Sequence, residues 1–428
     1  MSTQQLYLNG KTSRLKHWVR VISLAGSAQL IVQATSFACG ILVIRMLSTQ
    51  EYALYTIANA VLGTMAVLND GGVTTGAMSE GAKSWPDKGR LGSVLNTSLL
   101  LRKKFAIASL IVVLPILFYM LRSHDASWML CCLISLSLIP AFLATISGSL
   151  LEIVPKLSQE IAPLQKLQVQ NNVGRLALLC VCLFAMPWAF IAILVSGIPQ
   201  IWMNFKLRLL ASRHADFSTK ADKQIKASIL KIVYRIMPAS IYYCLSGQIT
   251  IWLSSVYGST SVVAQLGALG RIAMLFNLFS VLFGALIMPR FARLPLQRDM
   301  LLRRFFQVVL LLFVLCVVIM VGAWAFSVQI LWVLGPQYAN LNDEVILSVL
   351  ASCIGLIAGS AFNLYSNRGW TINPALLITL SLCTIGLGVL LIDISTIRGM
   401  INLQLFIVSS EAIMHGGYCV FRIKKIGS

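Results

Sequence analysis

The chain has 428 residues, of which 58% are hydrophobic and only 11% are charged. Soluble domains carry about 25% charged residues, and a soluble fold of this length would need more charge to cover its surface. The formal net charge is +20, but no basic segment is interleaved with aromatic residues in the pattern typical of nucleic-acid binding, so we expect no nucleic-acid partner. The composition indicates an all-α, polytopic membrane protein.

Long apolar stretches predict the crossings, because a helix needs about 20 apolar residues to span the hydrocarbon core. In the first half of the chain they lie at 18–44, 52–82, 102–122, 126–151, 172–188 and 188–210. In the second half they lie at 229–256, 261–290, 304–324, 343–366, 373–392 and 398–421. The sequence therefore predicts about 12 transmembrane helices.

The loops alternate in charge, which predicts the orientation. Most of the 34 Lys and Arg residues fall in the loops on one side, whereas the loops on the other side hold only Arg45, Arg122 and Arg398. Basic loops stay in the cytoplasm during insertion. The first apolar run is too long for a signal core and reads as an uncleaved first helix. We expect a multi-pass protein of the bacterial plasma (inner) membrane with both termini cytoplasmic.

A polar segment near the middle of the chain, 211–226, separates six predicted crossings from six others. The connections between the first and second helices of each half, at 47–55 and 257–265, are both short polar turns that start a long helix. Equal spacing with equal sidedness predicts a parallel internal repeat, which is typical of transporters. We expect an N-terminal six-helix lobe at 1–212, a cytoplasmic linker at 213–228 and a C-terminal six-helix lobe at 229–428.

The sequence offers little for catalysis or metal binding. All ten cysteines lie inside apolar runs and lack metal or redox spacing. The predicted loops contain no Gly-rich phosphate loop, His/Asp cluster or nucleophile elbow. We therefore predict a transporter rather than an enzyme, with no metal and no bound cofactor.

Four short segments carry a family resemblance, namely 45–55 (RMLSTQEYALY), 69–72 (NDGG), 288–294 (MPRFARL) and 333–339 (VLGPQYA). Together they resemble the polysaccharide biosynthesis or O-antigen (Wzx-type) flippases of the multidrug/oligosaccharidyl-lipid/polysaccharide exporter superfamily. The segment at 69–72 departs from the family pattern, which more usually has an apolar residue where Gly71 stands.

The resemblance implies two six-helix lobes around a central cavity. It also implies that an undecaprenyl-diphosphate-linked oligosaccharide, the repeat unit of O-antigen or another surface polysaccharide, is moved from the cytoplasmic to the outer leaflet by alternating access. The expected partners are this lipid-linked substrate, membrane lipids and other membrane proteins of polysaccharide assembly.

Arginines inside the predicted helices are the candidate substrate-binding residues, because a charge at membrane depth is costly unless it faces a cavity or a partner. Arg271 lies deepest, and its planar guanidinium suits a diphosphate; a structural pairing is the alternative. Arg235 either reaches the cavity mouth or snorkels to the interface, and Arg175, which is shallower, either lines the cavity or snorkels.

Two acids lie within the predicted membrane segments, Asp70 and Glu411. Either one is a candidate for coupling to Na⁺ or H⁺, although Asp70 precedes two glycines and alternatively marks a helix irregularity. Glu411 and His415 share a helix face, so they form either a proton relay or a plain hydrogen-bonded pair. Glu51 fits a capping box with Ser48 at the start of the second helix.

Two further functions remain open. The first is a sodium- or proton-coupled multidrug exporter of the same superfamily, whose cationic cargo would favour carboxylates over arginines. The second is a membrane polysaccharide polymerase, which the short external loops argue against.

Overall fold

A computed structural model describes residues 26–426 except Arg293, Gly369 and Thr371. Residues 18–25 of the first predicted crossing lie outside the described residues. The helices of the first half are α1 (described from Gly26 to Met46), α2 (Thr49–Asp70), α3 (Val73–Ser84), α4 (Lys88–Arg122), α5 (Trp128–Leu151), α6 (Ile153–Leu157), α7 (Ile161–Ala185) and α8 (Ala189–Ala211).

The helices of the second half begin at Lys223. They are α9 (Lys223–Tyr257), α10 (Thr260–Leu286), α11 (Met288–Ala292), α12 (Arg298–Ala325), α13 (Ser327–Leu334), α14 (Asn342–Ser366), α15 (Pro374–Leu391) and α16 (Ile397–Lys424), with a 3₁₀ turn at Pro336–Tyr338.

The all-α polytopic fold predicted from hydropathy is confirmed. Every predicted crossing contains one helix or a helix pair separated by a short break. Among the described residues, nine helical segments are long and apolar enough to cross a membrane. Several helices also run beyond their predicted ends because their extensions are amphipathic rather than apolar; α4, for example, begins at Lys88 instead of near residue 102.

The chain divides into two compact units. The first contains residues 26–46, Val61–Arg122 and Ala126–Cys244, and the second contains Leu47–Ala60, Ser123–Asp125 and the chain from Leu245 onward. In the first unit, Val73, Leu150 and Ile229 belong to one apolar core that joins α3, α5 and α9. In the second unit, α14 packs mainly against α16. The lobe boundaries proposed from the sequence stay a prediction.

The polar segment after α8 is fastened to the start of α4. The backbone N–H of Asp216 donates to the carbonyl of Lys88 at 3.0 Å, and the Asn96 amide donates to the carbonyls of Phe217 and Thr219 at 3.0 and 2.7 Å. Gly92 faces this segment so closely that a Cβ there would overlap the carbonyl oxygen of Asp216. The segment is thus an ordered part of the first unit.

We expect Gly92→Ala to destabilise the protein, because the added methyl would push this segment away from α4 and weaken the hydrogen bonds from Asn96. Overpacking of this kind costs about 1–3 kcal/mol. The measurement is thermal unfolding of the purified protein in detergent. Gly89→Ala is the matched control, since a Cβ at Gly89 meets its nearest atom, on Asp87, at 3.5 Å. Equal unfolding temperatures for the two variants would contradict the prediction.

Candidate functional site

Arg271 lies among tyrosines in the second unit. Its guanidinium carbon is 6.0 Å from the ring centroid of Tyr55, within the range of a cation–π contact. Tyr52 is the other aromatic neighbour of the guanidinium, and the rings of Tyr52 and Tyr55 stack with centroids 6.0 Å apart. Nη1 of Arg271 also contacts Sδ of Met274 at 3.7 Å. Arg271 is therefore held three turns inside α10 by π faces and phenol groups.

Local sequence explains why these residues meet. The Ser48 hydroxyl accepts a hydrogen bond from the backbone N–H of Glu51 at 3.3 Å, which is the N-terminal half of the predicted capping box and starts α2 at the right place. One turn before Arg271, a Cβ at Gly267 would run into the Thr56 side chain. The missing side chain lets α2 and α10 approach closely, so that Arg271 reaches the tyrosines.

A third tyrosine reaches the same place from the turn before α14. Gly335 has a φ of 129° and is followed by the 3₁₀ turn that ends at Tyr338. The Tyr338 side chain is 1% exposed and lies beside Tyr52. Two of the sequence segments that resemble the flippases thus contribute rings to the surroundings of one arginine.

The charge of Arg271 has no acidic counterpart within the described part of the chain, since no carboxylate there lies within ion-pair distance of its guanidinium. Phenol groups and ring faces stabilise a cation without neutralising it. A guanidinium in this state can bind an anionic or electron-rich group with charge-assisted hydrogen bonds.

Asp70 of the first unit has a different environment, at a break in a membrane-spanning segment. Gly71 and Gly72 both have positive φ and separate α2 from α3. The Asp70 carboxylate accepts the backbone N–H groups of Gly72 and Thr74 at 3.3 and 3.2 Å, and also the Thr74 hydroxyl. The irregularity that the two glycines suggested is therefore present, with Asp70 as its cap.

Arg102 pairs with Asp70. Its Nη2 forms an ion pair with the Asp70 carboxylate, and its Nη1 donates to the carbonyls of Thr145 and Ile146 at 3.0 Å each. The Arg102 side chain is 2% exposed. The sequence predicted a crossing that begins at Arg102, whereas α4 begins at Lys88 and buries this residue in its interior. The pair leaves little net charge at Asp70.

Glu411 and His415 lie in different surroundings. The His415 Nδ1 lies 2.9 Å from the Tyr365 hydroxyl, and the ring packs against Phe362. Glu411 instead lines a cavity of about 390 Å³ between α15 and α16, together with Ser381. Among the described residues, no group donates a hydrogen bond to the Glu411 carboxylate. The structure therefore does not join the two residues in a direct hydrogen bond. The remaining lining residues are Leu380, Thr384, Ile407, Ser410, Ile413 and Met414.

The other two predicted arginines lie in the first unit. Arg175 follows a polar turn of α7, where the Asn171 amide donates to Gln200 at 3.2 Å. Its Nε is buried, and no described group accepts a hydrogen bond from it. Arg235 has an exposed side chain on α9. Their proposed roles in substrate binding stay predictions.

Comparison of the fold with known structures identifies it. An inward-facing multidrug resistance MATE family transporter of the MOP superfamily superposes with a TM-score of 0.73 and 13% identity, over 93% of this chain and 96% of that one. An outward-facing multidrug resistance MATE transporter gives 0.59 and 12%, over 95% of both chains. A MATE in complex with MaL6 gives 0.64 and 14%, over 94% of both. This chain has the MATE fold.

Sequence comparison adds nothing to this result, since no family model and no curated protein matches the chain. At 12–14% identity, the likeness shows the fold alone. In this MATE fold, the residues that sequence reasoning overlooked are Arg102 and the tyrosines around Arg271. The signal for Arg102 was available in part, because an acid inside a predicted crossing needs a basic partner.

Proposed function

We propose that this protein is a secondary transporter that exports amphiphilic molecules across the membrane by alternating access. The observation that carries the proposal is the MATE fold over more than nine-tenths of the chain, together with the existence of inward- and outward-facing structures among the proteins that share it. The neighbours described as multidrug resistance transporters favour a multidrug exporter. We therefore propose the multidrug exporter as the main function and keep the flippase, which the sequence favoured, as the second candidate.

The cavity beside Glu411 supports the multidrug proposal. Its walls are largely apolar, and Ser381, Thr384 and Ser410 add hydroxyl groups near a carboxylate that receives no hydrogen bond from the described residues. An apolar pocket with a few polar groups is the usual form of a small-molecule site. A lipophilic cation would fit this chemistry, because its charge would pair with Glu411 and its rings would pack against the aliphatic walls.

A flippase for a lipid-linked oligosaccharide is the second candidate, and Arg271 is the observation that favours it. A cation without an acidic partner suits a diphosphate better than it suits a cationic drug. The surrounding tyrosines would offer ring faces to sugars. Coupling to Na⁺ or H⁺ through Asp70, Glu411 or His415 belongs to either proposal and is untested. Location in a bacterial inner membrane with cytoplasmic termini is also part of the proposal.

Two assays in parallel separate these functions. The first expresses the protein in cells that lack their own multidrug pumps and measures efflux of tetraphenylphosphonium or ethidium. The second expresses it in a strain without its O-antigen flippase and measures surface polysaccharide. We expect efflux in the first assay and its loss in Glu411→Gln, with Asp343→Asn, an exposed acid at the start of α14, as the matched control.

The outcomes distinguish the candidates. Restored polysaccharide without efflux would replace the multidrug proposal with the flippase. Efflux that survives Glu411→Gln unchanged would remove the cavity from the site while leaving the exporter. Neither activity, with normal protein levels in the membrane, would contradict both.

A further inference from the structure

A small basic cavity lies at the start of α9 in the first unit, next to the polar segment that is fastened to α4. It measures about 140 Å³, and three lysines from two helices line it, namely Lys104 of α4 and Lys223 and Lys226 of α9. Thr97 and the apolar side chains of Leu100 and Leu101 complete one wall. The cavity combines positive charge with an apolar surface.

The walls of this cavity are held in place. The backbone N–H of Asp222 donates to the Thr97 hydroxyl at 3.0 Å, and the Ser93 hydroxyl donates to the carbonyl of Lys220 at 2.9 Å. These bonds fix the start of α9 against α4. The three lysines are therefore arranged by the fold and do not meet by chance at a mobile surface.

The acid in the lining does not neutralise the lysines. The Asp222 carboxylate accepts the backbone N–H groups of Gln224 and Ile225 and so caps α9. Within the described residues, no ion pair joins Lys104, Lys223 or Lys226 to a carboxylate. The cavity therefore keeps a net positive charge available to a ligand.

The depth of the cavity points to the membrane surface. Lys104 is followed by an uncharged stretch of α4 that runs to Leu121, so Lys104 stands where the helix enters the hydrocarbon. Ile107 and Ile111 lie on the same helical face and are 60% and 71% exposed. Leu100 is 50% exposed beside the lysines. A ligand with a phosphate at the lysines would have its apolar part next to this face.

We infer that the cavity binds the phosphate group of an anionic membrane phospholipid, with Lys104, Lys223 and Lys226 as its ligands and the acyl chains along the exposed face of α4. Basic pockets between membrane helices at the interface recognise such head groups. Free phosphate has the negative charge of the lipid head group but no acyl chains. The apolar wall of the cavity therefore favours the lipid. This inference is independent of the cargo that the protein carries.

The test is lipid binding to the full-length protein in a neutral detergent, followed by thermal unfolding. We expect dioleoylphosphatidylglycerol to raise the unfolding temperature while dioleoylphosphatidylcholine does not. Replacing all three lysines by Gln should remove most of this effect, with a loss of roughly fivefold in apparent affinity for each lysine. All three side chains are exposed, so the variant should still fold, and its unfolding temperature in phosphatidylcholine checks this.

The control is a charge-matched triple variant in which Lys103, Lys220 and Lys231, exposed lysines that do not line the cavity, are replaced by Gln. It should respond to phosphatidylglycerol as the unmodified protein does. Equal losses in the two triple variants would overturn the inference, because any basic surface would then suffice. An equal shift from inorganic phosphate would overturn the lipid as the ligand and indicate a site for a soluble anion.

Discussion

Arg102→Met should destabilise the protein by about 3 kcal/mol, because it removes the cation that pairs with the Asp70 carboxylate, which is 35% exposed. The substitution also removes the donor that serves the carbonyls of Thr145 and Ile146 in α5. The side chain is 2% exposed, so water cannot readily replace it. The measurement is unfolding of the purified protein in detergent. Lys103→Met, at the next and exposed position, is the control and should have little effect.

A double-mutant cycle isolates the ion pair from the other contacts. Asp70→Asn removes the negative charge but keeps a hydrogen-bond acceptor for the two backbone N–H groups. We therefore expect the variant with both Asp70→Asn and Arg102→Met to be more stable than Arg102→Met alone. Strictly additive effects of the two substitutions would show that the pair does not interact and would contradict this account.

Arg271→Ala should reduce transport roughly tenfold or more while the protein remains in the membrane at its normal level. The expected size follows from losing charge-assisted hydrogen bonds to the cargo, which contribute about 1.5–3 kcal/mol. Arg271→Lys should restore part of the activity, because it keeps the charge but loses the planar fork. The measurement is whichever of the efflux and polysaccharide assays the unmodified protein supports.

The control for this prediction is Arg398→Ala, which removes an exposed arginine from the first turn of α16. It should leave transport unchanged, which separates a local role of Arg271 from a general loss of positive charge. Full activity of Arg271→Ala at single-copy expression would remove Arg271 from the site. A fall in membrane level matching the fall in activity would instead indicate a structural role.

Hydropathy was sufficient to predict the membrane helices but not the residues at which they begin and end. Crossing an apolar layer requires a run of apolar residues, and that requirement is visible in the sequence. The first turns of α4 carry mixed polar and apolar residues, and their burial depends on packing against α3 and α5. For that reason the sequence predicted a crossing that begins only near residue 102, whereas Arg102 lies inside a longer helix.

The tyrosines around Arg271 could not be predicted for a different reason. Tyr52 and Tyr55 lie far from Arg271 in the chain and reach it only through the packing of α2 against α10, and Tyr338 reaches Tyr52 only through the turn before α14. Helical periodicity places residues on a face of their own helix but does not identify the neighbouring helix. The segments carrying Tyr55 and Tyr338 resemble those of a known family, but that resemblance does not say which side chains they contact.

The break after Asp70 limits how freely this protein can be redesigned. Gly71 and Gly72 have φ values of 48° and 93°, a backbone shape that residues with a Cβ rarely adopt, and a Cβ at Gly72 would also crowd Ile236 at 3.1 Å. In a saturation library screened for a new cargo, both codons should therefore remain glycine whatever compound is selected. Substitutions at Tyr52 and Tyr55, near Arg271, would test which side chains select the cargo. Substitutions at Gly71 and Gly72 would mostly give chains that do not fold.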